Sequence, residues 1–174
     1  MELKQNSKVI SALLLATTFL LALGPSAVAA SASTGSSSTV KITGIWSLTS
    51  FNSTVLSTQG NIQYGAGVGV GPITGQMHGS SQGEYLTAYN MKTQVILFTG
   101  QIHCICTIFG KTGSVWISMI HGIDHNASDP NGKTTAEFVI SSASGGLKGL
   151  KGHGPMVTTT SSDDMNFTLW ITFG

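Results

Sequence analysis

From Val40 onward the apolar residues recur at every second position rather than at every third or fourth. Ile42, Trp46 and Leu48 fall on one face of an extended segment, and Lys41, Thr43, Ser47 and Thr49 on the other. This is the alternation of a strand with one dry and one wet side. No window has the spacing of an amphipathic helix. Further strands are predicted at about 60–67, 73–80, 84–89, 93–109, 114–123, 134–142, 155–160 and 166–173. Between them lie clusters of turn-forming residues: Ser80-Ser81-Gln82-Gly83, Gly110-Lys111-Thr112-Gly113, Asp129-Pro130-Asn131-Gly132 and Ser161-Ser162-Asp163-Asp164. Many short strands at regular spacing predict an all-β sandwich or barrel.

One hairpin can be checked against itself. With Gly110–Gly113 as the turn, Phe109 pairs with Ser114, so Cys106 faces Ile117, Cys104 faces Met119 and Ile102 faces His121. The apolar set Ile96, Phe98, Ile102, Cys104, Cys106 and Ile108 then shares a side with Val115, Ile117, Met119 and Ile123. A slip of one residue would separate the two sets. The run Gly65-Ala66-Gly67-Val68-Gly69-Val70-Gly71 places four glycines on one strand face. Glycine in a strand marks a bend, a bulge or a neighbour lying close to the backbone, and such curvature favours a closed barrel over a flat sandwich.

The N-terminal segment has a different character. Lys4 and Lys8 precede an apolar run from Val9 to Leu23, followed by Gly24-Pro25 and then Ser26-Ala27-Val28-Ala29-Ala30. This is the layout of a secretory signal over residues 1–30, and the run is shorter than the ~20 residues that span a bilayer. Residues 31–39, nearly all Ser, Thr, Ala and Gly, read as a flexible tether, and residues 40–174 as one barrel domain. The expected location is secreted or extracytoplasmic, with no membrane span after signal removal.

Charge narrows the list of partners. The chain has no Arg, and its 8 basic and 7 acidic residues nearly cancel. The cationic footprint that phosphate backbones require is missing, so no nucleic acid is expected as a partner. Asn52-Ser53-Thr54, Asn126-Ala127-Ser128 and Asn166-Phe167-Thr168 are sequons, which makes Asn52, Asn126 and Asn166 glycosylation candidates.

A family resemblance runs through the chain in order: Gly83-Glu84-Tyr85-Leu86-Thr87-Ala88-Tyr89, Phe98-Thr99-Gly100, Gly113-Ser114-Val115-Trp116, His121-Gly122, and Ser142-Ala143-Ser144-Gly145-Gly146-Leu147-Lys148-Gly149-Leu150-Lys151-Gly152-His153-Gly154. The sequence resembles the domain-of-unknown-function 3224 family, whose members are similar to allene oxide cyclase. The resemblance implies a single antiparallel eight-stranded barrel of the calycin type and lends no activity. Where that family tends to carry a Glu-Arg pair before Phe-x-Gly, this chain has Ile96-Leu97.

His103-Cys104-Ile105-Cys106 is the most chemical-looking stretch. Two thiols and an imidazole are zinc or copper ligands by type, but no fourth ligand accompanies them, and buried Cys commonly packs as a small apolar group. No metal and no cofactor are expected. A Cys104–Cys106 disulfide would sit near the ~6.8 Å upper limit of Cα separation for a bridge, and the sequence leaves open whether the pair is free or bridged. His121 and His125 are too far apart along a strand to share an ion, about 13 Å over four residues. His121 is in phase with Val115, Ile117 and Met119 and is expected to face the lumen; Glu84, on the face of Leu86 and Ala88, could reach it too. The candidate lumen residues are therefore His121, Glu84, Cys104, Cys106 and Met119, and no catalytic residue is assigned. The leading expectation is an exported barrel that binds a small apolar molecule in its lumen. The alternatives are an isomerase or cyclase acting within the barrel through His121 and Glu84, and a non-enzymatic surface or envelope protein. Oligomeric state is not legible.

Overall fold

A computed structural model describes residues 38–125, 129, 132–159 and 164–174. The expected export signal, most of the tether and Asn126 lie outside the described residues. Among the described residues, nine antiparallel strands follow one another: β1 (Val40–Ser47), β2 (Ser50–Gln59), β3 (Ile62–Gly75), β4 (Met77–Asn90), β5 (Val95–Ile108), β6 (Lys111–His125), β7 (Lys133–Ala143), β8 (Leu150–Thr159) and β9 (Asp164–Phe173). Strands β3 to β9 run in chain order, β9 pairs with β1, and β1 pairs back onto β3, so eight strands close into the expected barrel. The ninth, β2, is paired only with β3 and sits outside the ring.

The period-two pattern is what the structure buries. Ile42 and Trp46 of β1, Ile102, Cys104, Cys106 and Ile108 of β5, Val115, Ile117 and Met119 of β6, Phe138 of β7, Met156 of β8 and Leu169 of β9 all point inward and are buried. A 3-10 turn at Gly145–Leu147 folds against Gly113 and buries Leu147. The glycine-rich stretch after Ser144 is thus a tight connection that leads into β8 at Leu150.

Three local expectations are corrected. The β5–β6 hairpin turns at Phe109-Gly110, both at positive φ (50° and 75°), as a two-residue turn matched to strand twist requires. Cys106 therefore pairs with Gly113, Cys104 with Val115 and Ile102 with Ile117, four residues away from the expected register. An even shift keeps every side chain on its predicted face. Ser80–Gly83 is not a turn but the middle of β4, paired with Gly69–Pro72 on one side and Ile102–Ile105 on the other. Residues 52–59, left without an assignment, form most of β2, and every residue of that strand is exposed.

The glycine run curves the sheet as expected, and the structure shows why glycine is needed. At Gly71 the chain of β1 lies directly against β3: a Cβ there would overlap the carbonyl oxygen of Ser47. That contact is where the ring closes. Gly71→Ala should cost roughly 3 kcal/mol, at the upper end for overpacking, and lower the urea midpoint of unfolding with the slope unchanged. An unaltered midpoint would show that β1 does not lie on β3 at this point.

Candidate functional site

Three of the five candidate residues face inward. Cys104, Cys106 and Met119 are buried in the core together with Trp46, Ile102, Ile117 and Phe138. The two cysteines are joined in a disulfide, their Cα atoms 5.4 Å apart. Alternate residues of a strand project to the same side, which brings the two sulfurs together. The middle of the interior is filled by these side chains.

The other two face outward. His121 has a side chain 81% exposed and a φ of +53°, because β6 carries one residue too many at this point. Ile120 and His121 stand against the single residue Thr99 of β5, and His121 and Gly122 against Ala136 of β7. The bulge absorbs His121 and flips the phase beyond it: Gly122 is buried in its place, and Ile123, expected inside, is displaced from the inner face. Glu84 shares a face with Leu86 as expected, but that face is the outer one, since Gly83 and Tyr85 take the inner positions of β4. His121 and Glu84 therefore share no chamber. Asn52 and Asn166 are both exposed, on β2 and β9. His103 also lies on the outer wall, stacked on Trp116 at 4.5 Å with its Nε2 2.7 Å from Ser114 Oγ.

Several concave regions mark the outer wall. One, of about 660 Å³, crosses β2 to β6 and is lined by Val68, Leu86 and Ile120 with Asn52, Glu84 and Gln101 among its polar residues. Another, of about 770 Å³, lies over β7 and β8 and includes Lys151. A third, of about 350 Å³, holds a row in which Glu137 lies 3.8 Å from both His121 Nδ1 and His153 Nδ1, beside Trp170. Among the described residues, no three His, Cys, Asp or Glu side chains converge as a metal site.

The inner wall near the start of β2 carries polar groups that the sequence pattern did not single out. Phe51 stacks on Tyr85 at 5.4 Å, and Leu48, Tyr85, Phe98 and Met165 pack partly buried against the core. Tyr85 Oη, Trp46 Nε1 and Asp124 Oδ1 are enclosed and have no hydrogen-bond partner. Burial pushes the Tyr85 phenol well above its ordinary range; its ring is half-buried, but its oxygen is sealed from solvent. The signal for Tyr85 was its phase with Met77 and Gly83. Asp124 was hidden by the bulge at His121.

Two outcomes follow from this geometry. Bridging residues so close in sequence constrains the unfolded chain little, about 1.5 kcal/mol for a three-residue loop. Reduction of Cys104–Cys106 should therefore lower stability by about that much in a denaturant titration and leave the far-ultraviolet spectrum of the barrel intact; loss of the β signal would refute this. For Tyr85, the raised folded pKa means that the unfolded chain releases the proton first, near pH 10. The stability held by the neutral phenol is complete below that pH and is lost as pH rises toward the folded value. The melting temperature of the native protein should fall faster between about pH 9 and about pH 11 than that of Tyr85→Phe; parallel curves would place the phenol in water.

Comparison with known proteins agrees with the fold. A protein of unknown function from the DUF3224 family of Shewanella oneidensis MR-1, solved as a crystal structure, superposes with a TM-score of 0.58 at 16% identity, over 79% of this chain and 99% of that one. No curated protein matches the sequence. The family profile described as "Protein of unknown function (DUF3224)" matches residues 42–169, which span the barrel from β1 into β9, and the chain belongs to that family.

Proposed function

We propose that this is an exported barrel protein that binds a small, largely apolar molecule, and that the ligand lies in the outer-wall groove across β2 to β6 rather than in the middle of the lumen. One observation carries the reading. Leu86 and Val68, 59% and 41% exposed, lie in a concave surface of about 660 Å³ instead of being scattered over a convex one. Ligand sites commonly enclose about 300–1,000 Å³, with an apolar lining and a few oriented polar groups. Here Ile120 and Ala66 extend the apolar lining, and Asn52, Thr54, Glu84, Thr99, Gln101 and Ser118 supply the polar groups, with no cation among them. The filled core argues against the lumen reading, and the separation of His121 from Glu84 leaves the isomerase reading without its two groups. Export is supported by the signal-like N-terminal sequence and by the Cys104–Cys106 bridge, since disulfides persist in oxidising compartments.

The neutral fluorophore N-phenyl-1-naphthylamine is a suitable probe. Its fluorescence should rise saturably on addition of the protein, and Leu86→Lys should weaken binding at least tenfold without shifting the melting temperature, because Leu86 is already in solvent. Absence of saturable binding, or equal binding by Leu86→Lys, would remove the groove from consideration.

A further inference from the structure

The groove across β2 to β6 is built from two unlike rows. Strand pairing sets Asn52 opposite Val68, Val68 opposite Glu84, Glu84 opposite Gln101 and Gln101 opposite Ser118. All five line the groove, and this row is polar except at Val68. Two residues along each strand, the same pairings set Ala66 opposite Leu86 and Leu86 opposite Thr99, and Ile120 lines the groove where β6 bulges. The Thr99 hydroxyl is spent on the Met119 carbonyl at 2.9 Å, so this second row offers mainly carbon. The concave surface is therefore amphipathic across its width, with a polar side and an apolar side one row apart.

The polar side carries one charge. Among the described residues that line the groove, Glu84 alone is ionisable to a carboxylate and no lysine or histidine joins it. Its directly opposed neighbours, Val68 and Gln101, are uncharged. The nearest imidazole, His103 two residues beyond Gln101, is held away by its stacking on Trp116 and by Ser114 Oγ, 2.7 Å from its Nε2. Among the described residues, the ion pairs of the acidic side chains are those of Glu137 with His121 and His153, and Glu84 has none. A carboxylate only accepts hydrogen bonds, and a cleft lined by one sign of charge draws in the opposite sign. An anionic amphiphile would set like charge against Glu84 with no cation to offset it.

We propose that the ligand of this groove is a cationic amphiphile, a hydrocarbon chain bearing an ammonium group. The inference rests on the groove reading above and names the class of molecule the groove takes. The ammonium pairs with the Glu84 carboxylate and donates to the amide oxygen of Gln101 beside it. Two strand spacings, ~10 Å, separate β4 from β6, so a head held at Glu84 lets its chain run along the apolar row from Leu86 to Ile120.

The test uses the full chain with N-phenyl-1-naphthylamine bound, at about pH 7, where n-decylammonium and decanoate are both charged. The two carry chains of equal length and opposite heads. An exposed charge pair changes affinity a few-fold, and attraction of one ligand adds to repulsion of the other. Decylammonium should therefore displace the probe at a concentration lower than decanoate by roughly fivefold or more at low ionic strength. The ratio should shrink in about 1 M salt, where the screening length is ~3 Å. In Glu84→Gln the two ligands should compete about equally, and in Glu84→Lys decanoate should be the better competitor; both variants should melt with the native protein, because Glu84 is exposed. Saturable probe binding with equal competition by the two ligands in the native protein overturns the cationic assignment and leaves the groove standing. A preference that salt does not move, or that survives Glu84→Gln, overturns it as well, as does loss of both ligands in that variant. Absence of saturable probe binding removes the groove and this inference together.

Discussion

Closure of the sheet through β1 is the constraint on which the rest of the molecule depends. A strand that serves two neighbours must lie against both, and the contact with β3 is made where Gly71 lets the Ser47 carbonyl come down onto the backbone. Without that contact β1 and β2 would be the two open edges of a curled sheet, and Trp46, which projects from β1 into the centre, would lose the wall behind it. The closed ring turns an alternating sequence into an inside and an outside. Its interior is small enough to be filled by side chains, as eight strands allow.

That filling determines where chemistry can occur. Trp46, Ile102, Ile117, Met119 and Phe138 occupy the middle, and the Cys104–Cys106 bridge adds a rigid apolar element beside them. Polar groups are driven to the outer wall or to the part of the interior where β1 gives way to β2. The outer wall receives His121, Glu137 and His153, spread in a row, and Glu84 at the groove. The inner wall retains Tyr85, Trp46 and Asp124 with enclosed polar atoms.

Much of this was legible in the alternation of residues. The all-β class and the shared face of Ile102, Cys104, Cys106, Val115, Ile117 and Met119 follow from a period of two, and the ring of eight from the family resemblance. What the alternation does not carry is any event that changes its phase or its pairing. The β5–β6 register depended on Phe109 adopting a left-handed conformation that its side chain disfavours, which is why the glycine-rich segment after it looked like the better turn. His121 was placed inside because a one-residue bulge has no signature in hydrophobicity. Glu84 was misplaced because the inner face of β4 is held largely by glycine and serine, so the apolar signal of Leu86 and Ala88 pointed the wrong way. Strand β2 is exposed on both faces and so has no alternation to read.

Strand β4 shows how one segment prepares two surfaces. Its inner positions shrink to Gly79, Ser81 and Gly83, with Ser81 donating to the Gly71 carbonyl at 2.8 Å and Gly83 making room for the Trp46 ring, until Tyr85 fills the space beside Phe51. Its outer positions grow in the same stretch, from Ser80 to Gln82, Glu84 and Leu86. Small residues inside let β4 lie close against a large indole, while the neighbouring outer residues line the groove across β2 to β6. A side chain added at Gly83 would meet the Trp46 ring, so a change there acts inward, whereas Leu86 projects outward and a change there acts on the groove alone. Tyr85 borders both surfaces, since its ring packs against the core and also lines the groove.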